Sequence, residues 1–133
     1  MSKANKTIST NIESLLTASV QECFVLVESV LKSNKIPFLR GKNFLVTDIQ
    51  NENPIPLVCV HLDTVSRVMP KETDLVDVDG VITLKKGSKP TCLGADDRAG
   101  FWIALKMIEQ GTKTKFNFGF FDLEESGGRG SDT

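Results

Sequence analysis

The sequence predicts an α/β fold built as one domain. Three observations point there. An apolar stripe with helical spacing lies near the N-terminus. The run Pro56–His61 (PLVCVH) is compact, β-branched and nearly all apolar. A second helical stripe is followed by Lys115–Leu123 (KFNFGFFDL), in which phenylalanine recurs at 116, 118 and 120. Helix, strands, helix, strand is an α/β order. The 133 residues suit one domain, since domains most often run to about 100–150 residues. With 40% apolar and 25% charged residues the chain has the composition of a globular protein, which excludes wholesale disorder.

Residues 1–9 form a polar lead-in, and 10–133 form the domain. Thr10 and Glu13 have the spacing of a capping box, which opens a helix. Leu16, Val20, Cys23, Phe24, Val27, Val30 and Leu31 then recur at three- and four-residue intervals. They predict one helix of about twenty residues with a single apolar face. Ser33-Asn34-Lys35 and Pro37 stop it. Asn43–Ile49 reads as a strand, and 51–56, with two prolines, as a turn-rich connection. Pro56–His61 fits a strand buried on both faces, as in a parallel sheet. Asp79-Gly80, flanked by Val76, Val78, Val81 and Ile82, predicts a hairpin. A second helix starts near Asp97 and ends at Gly111, with Phe101, Leu105 and Ile108 facing inward.

Composition narrows the function. Sixteen Lys+Arg against seventeen Asp+Glu give a net charge of −1, without the basic footprint of a nucleic-acid binder. No apolar run reaches the ~18 residues needed to span a bilayer. The N-terminus MSKANKTIST lacks the apolar stretch of a signal peptide. Three cysteines without a CxxC pair read as reduced thiols, so a cytoplasmic setting is expected.

In open α/β sheets chemistry gathers at the carboxyl ends of strands. Two strands end in acid- or histidine-bearing loops, and a third cluster of candidate residues leads into a helix. The first is the one histidine, His61, at the end of PLVCVH. A lone histidine there is ordinarily a packed residue with a satisfied hydrogen bond. Asp63, two positions on, projects to the same side of an extended segment, and a carboxylate beside a metal-binding imidazole orients the ring and raises its basicity. The second cluster is Asp96-Asp97-Arg98 before a helix, flanked by Gly94 and Gly100. Aspartates at that place cap helices and favour the positive end of the dipole. The third is Glu124-Glu125 in a glycine-rich loop after a strand. Adjacent carboxylates can divide labour, one facing a cation and the other taking a proton from water beside it.

The order of the clusters, His-x-Asp, then Asp-Asp-basic-x-Gly, then Glu-Glu, resembles the N-terminal part of the co-catalytic di-zinc exopeptidases. That superfamily includes aminopeptidases, tripeptidase T, glutamate carboxypeptidase-type enzymes and related deacylases. VCVHLDTV (58–65) is similar to the family's His-x-Asp-Thr-Val strand end. CLGADDRAGFWIAL (92–105) resembles the Gly-Ala-Asp-Asp-Lys-Ala-Gly segment of the tripeptidase T-like branch, and FFDLEESGGRGS (120–131) resembles the paired-glutamate loop. The resemblance covers residues 12–133. It implies a three-layer α/β/α sheet, truncated after the paired-glutamate loop, and two zinc ions, although cobalt or manganese also suit histidine and carboxylate donors. It implies His61 as a ligand of the first zinc, Asp96 as the bridging carboxylate, and Glu125 as a ligand of the second. Glu124 would be the general base, Asp63 would orient His61, and Asp97 would cap the helix or support its loop.

The family supplies a further acidic ligand beyond the paired glutamates and a late histidine. This chain has no other histidine, and Asp132, its one later acid, sits closer to the glutamates than that ligand does. Each metal would then be one ligand short. The expectation is a zinc-dependent metallopeptidase fragment or split N-terminal half, inactive alone. It would act on a peptide substrate once a complementing C-terminal polypeptide finishes the site. The competing expectation is a non-catalytic remnant serving as a binding or interaction module.

Overall fold

The computed structural model describes residues 10–66, 68–111 and 115–126. The lead-in 1–9, the glycine-rich end of the glutamate loop and Asp132 lie outside the described residues.

Where the sequence predicts one N-terminal helix there are two, α1 (Ile12–Thr17) and α2 (Val20–Ser33). Ala18 and Ser19 between them are extended. The caps differ accordingly. Asn11 Oδ1 accepts the Ser14 amide at 2.8 Å and starts α1. The capping box belongs to α2: Ser19 Oγ accepts the Glu22 amide at 3.1 Å, and Glu22 Oε1 accepts the Ser19 amide at 2.9 Å. The predicted stop holds. Asn34 caps α2, and Lys35 turns the chain away at φ 56°.

A strand not foreseen, β1 (Phe38–Arg40), pairs antiparallel with β2 (Phe44–Thr47). β3 (Leu57–His61) follows the proline-bearing connection. The hairpin forms as β4 (Leu75–Val78) and β5 (Val81–Leu84), with Asp79 at φ 53° and Gly80 at φ 83°, the backbone that a two-residue hairpin turn requires. Ser66 closes the base of this excursion: its Oγ donates to the Val68 carbonyl at 2.7 Å and accepts the Thr91 amide at 3.2 Å. The chain thus returns beside the end of β3 to begin α3 (Ala95–Glu109). Strand β6 (Asn117–Phe121) comes last, before a 3-10 turn at Glu124–Ser126.

The main sheet runs β1-β2-β6-β3, with β2 antiparallel to β6 and β3 parallel to it. Register places Val60 opposite Phe120 and His61 opposite Phe121, so the carboxyl ends of the parallel pair coincide. One face of the sheet is covered. Phe24, Val27 and Leu31 of α2, Phe101, Leu105 and Ile108 of α3, and Leu45, Val60, Phe118 and Phe120 of the sheet form a single core cluster. Phe101 meets Phe120 edge-on, with ring centroids 5.8 Å apart.

Strand β3 departs from the prediction of burial on both faces. Val58 and Val60 face the core, while Leu57 is 51% exposed and Cys59 is exposed on the other side. Leu39 on β1 is open in the same way. The physical reason is that the three α-helices among the described residues pack into one cluster. No helix covers the outer face among the described residues, so the third layer is not seen there. No described helix is long and apolar enough to cross a membrane.

Candidate metal centre

Three loops meet where β3 and β6 end. The first carries His61 and Asp63. The His61 ring is turned by its own loop, with Nδ1 2.9 Å from the Asp63 carbonyl and 3.4 Å from Asp63 Oδ1. A carbonyl can only accept, so Nδ1 carries the proton and Nε2 is the outward nitrogen. The Asp63 carboxylate does more than face the ring. It accepts the Glu124 amide at 3.1 Å through Oδ1 and the Glu125 amide at 2.8 Å through Oδ2. One aspartate therefore fixes both the imidazole and the turn that presents the paired glutamates.

The second loop carries Asp96 and Asp97. Gly94 caps α3 at φ 85°, and a β-carbon there would stand 3.1 Å from Thr64 Cγ2. A glycine lets this loop close onto the His61–Thr64 segment. Asp96 and Asp97 are non-helical and joined by a cis peptide. Asp97 folds back over α3, and its Oδ2 accepts the His61 amide at 3.3 Å. Asp97, expected to cap the helix or support its loop, thus ties that loop to the end of β3. Gly100 makes room, since a β-carbon would lie 2.2 Å from Asp97 Oδ1.

The third loop turns at Leu123, a non-glycine residue at φ 63°, and presents Glu124 and Glu125. Three acids, Asp96, Glu124 and Glu125, converge on one nitrogen. His61 Nε2 lies 3.0 Å from Asp96 Oδ1, 3.8 Å from Glu124 Oε2 and 3.9 Å from Glu125 Oε1. The His61 side chain is 13% exposed, whereas that of Asp96 is 88% exposed. A cleft of about 270 Å³, lined by Cys59, His61, Asp97, Phe121 and Glu124 among others, opens beside the cluster.

The charges act on one another. Burial works against the imidazolium of His61, but the hydrogen bonds it donates to Asp96 and to the Asp63 carbonyl, with the charges of Asp63 and Glu124, outweigh it and hold the group above its ordinary value. The Glu125 carboxyl is also pushed up, by desolvation first and by the neighbouring Glu124 charge next, against the pull of His61. A nitrogen of His61 and one oxygen each from Glu124 and Glu125 lie within 4.8 Å of one another. Asp96, singled out from the sequence as the bridging ligand, stands beside His61 but outside that trio.

Arg98 was legible only as the basic residue of a motif. It is fully buried. Nε donates to the Leu62 carbonyl at 2.6 Å, and Nη1 to the Leu15 and Ala18 carbonyls at 2.5 and 2.7 Å. Burial lowers its pKa from the ordinary arginine value. A signal was present, because Arg98 precedes Phe101, Leu105 and Ile108 on the inward stripe of α3.

No family model matches the chain, and no curated protein matches it at the level of sequence. The fold is similar to the crystal structure of a tripeptidase from Staphylococcus aureus subsp. aureus Mu50, with a TM-score of 0.64 and 19% identity. The likeness covers 92% of this chain and 39% of that one, so this chain spans well under half the length of the tripeptidase. What the two share is a mixed α/β fold of tripeptidase type.

Proposed function

We propose that this chain is the N-terminal part of a zinc-dependent, di-metal peptidase domain that hydrolyses an amide bond near a peptide terminus. The observation that carries the reading is the convergence of Asp96, Glu124 and Glu125 from two loops on the outward nitrogen of His61, all within 3.9 Å. Imidazole and carboxylate donors suit zinc. His61 and Asp96 would hold one ion, and Asp96 and Glu125 the other. Zinc, when bound, would supply Lewis acidity toward the scissile carbonyl and acidify the attacking water. Glu124, half exposed beside the cleft, takes the proton from that water and delivers it to the leaving amine nitrogen. Asp63 holds the imidazole and the glutamate turn in register during both transfers.

Two ligands per ion make a weak site. The remainder is proposed to come from a complementing polypeptide equivalent to the part of the tripeptidase that this chain does not span. The same polypeptide would lay the third layer over the open sheet face at Leu39, Leu57 and Cys59. The proposed setting is the cytoplasm, where the unpaired thiols Cys23, Cys59 and Cys92 stay reduced.

Titration of the isolated chain with Zn2+, and with Co2+ as a spectroscopic probe, tests the reading. Weak saturable binding is expected, lost in His61→Gln and Glu125→Gln, kept in Glu124→Gln, and without peptide turnover. Binding that is indifferent to His61 would refute it.

A further inference from the structure

The guanidinium of Arg98 reaches into two places at once. Its Nε holds the carbonyl of Leu62, the residue between His61 and Asp63. Its Nη1 holds the carbonyls of Leu15 and Ala18, where α1 ends and the chain breaks before α2. Carbonyls at a helix end have no partner within the helix, and buried ones need another donor. Arg98 is that donor, from a position 80 or more residues away.

Leu62 is pinned from both sides. Its side chain is fully buried, and its amide donates to the Phe121 carbonyl at 2.7 Å. Its carbonyl belongs to Arg98. The peptide plane joining Leu62 to Asp63 therefore has its oxygen fixed by one side chain. From Asp63 the constraint passes to the His61 ring through the Asp63 carbonyl, and to the Glu124 and Glu125 amides through its carboxylate. No carboxylate stands within ion-pair distance of Arg98 among the described residues. The hydrogen bonds of the buried cation go to backbone carbonyls, and the charges of Asp63 and Asp122 act on it without direct contact.

We propose that Arg98 is the positioning residue of the His61–Asp63–Glu125 cluster, acting through the Leu62 carbonyl and anchored on the α1–α2 junction. It touches no reacting atom. Arginine suits the task because its planar fork spans carbonyls in different directions, whereas a lysine ammonium is a point donor on a flexible stem. In its consequence for metal binding this inference rests on the reading above. In its consequence for the order of the cluster it does not.

The test compares Arg98→Lys with Leu31→Ala, a core variant remote from the cluster, in the metal-free chain. Amide hydrogen exchange is read by NMR. Arg98→Lys should lower protection at the Glu125 amide about 10-fold more than at Phe118 in the core, whereas Leu31→Ala should shift both alike. Equal loss at the two amides in Arg98→Lys would overturn the proposal. If that variant does not fold, the wild-type chain still decides. The Arg98 Nε–H should exchange with the same urea dependence as the Glu125 amide, and a freely exchanging Nε–H beside a protected Glu125 refutes the link. Co2+ titration is run in parallel, with about 10-fold weaker binding expected in Arg98→Lys and unchanged affinity in Leu31→Ala. A wild-type chain that binds no Co2+ would remove the peptidase reading, and the exchange data would still judge Arg98.

Discussion

Glu125 donates its backbone amide to Asp63 Oδ2 at 2.8 Å, across 62 residues of chain. With the Glu124 amide on Oδ1, the carboxylate closes the 3-10 turn as a cap would and orders the two glutamates beside His61. Asp63→Asn keeps the shape but offers one acceptor oxygen where two amides need one each. Metal affinity is expected to fall by about 10–100-fold, the usual cost of losing a group that orients ligands. Competition against a chromophoric chelator measures it. An Asn variant with wild-type affinity would mean that the glutamate turn holds itself.

The raised pKa of His61 makes a signed prediction for the metal-free chain. A group whose folded pKa lies above its unfolded value of 6.5 contributes stability that is fully present below 6.5 and is lost as pH rises through the folded value. Glu125 is raised as well, so its titration also favours the folded chain at the acidic end. Urea midpoints measured in a chelator should fall from pH 6 to pH 8, and His61→Gln should flatten that slope. Metal binding runs the other way. The imidazole must be neutral to ligate, so affinity rises with pH over the same range. A slope unchanged by His61→Gln would show that His61 is not linked to folding.

Much of the fold was legible because its signals are local. The inward stripe of α3, the alternating phenylalanines of β6 and the Asp79-Gly80 turn each sit within a few residues and hold in the structure. The break between α1 and α2 did not show, although Ser19 and Glu22 spell a capping box. The apolar stripe runs through the break, and the freed carbonyls are satisfied by Arg98, far away in sequence. The exposed face of β3 was missed for a related reason. An apolar run reports a strand but not which layers cover it. In the cluster, residue types and their order could be read. The reach of the Asp63 carboxylate to the Glu124 and Glu125 amides could not, because tertiary structure alone brings them together.

Thr47 and Asn117 form a lock beyond the end of the β2–β6 pairing. Thr47 is buried, and its Oγ1 donates to Asn117 Oδ1 at 2.7 Å and accepts the Phe118 amide at 2.8 Å. Asn117 Oδ1 also accepts the Ile49 amide at 2.8 Å. Thr47→Val keeps the shape and leaves the buried Phe118 amide without its acceptor. A loss of about 1–3 kcal/mol is expected, the cost of orphaning a buried donor. Urea unfolding measures it, and a change below ~0.5 kcal/mol, the range of an ordinary surface substitution, would show that the lock carries no stability.

Asp97 and Gly100 should behave as one unit. Alanine at position 100 places its β-carbon on Asp97 Oδ1, while the other oxygen of that carboxylate, Oδ2, is held by the His61 amide. Gly100→Ala alone must push Asp97 aside and is expected to cost about 1–3 kcal/mol, as overpacking does. Asp97→Ala alone frees the His61 amide and should cost a similar amount, about 1–3 kcal/mol. In the double variant the clash is gone. Position 100 is then an ordinary site in α3, where alanine is better than glycine by about 0.5–1 kcal/mol. Gly100→Ala should therefore change sign, destabilising the wild-type background and stabilising the Asp97→Ala background. Urea unfolding of the four proteins gives the cycle. Additivity within about 0.5 kcal/mol, as found for independent sites, would show that glycine stands at 100 for some reason other than the seat of Asp97.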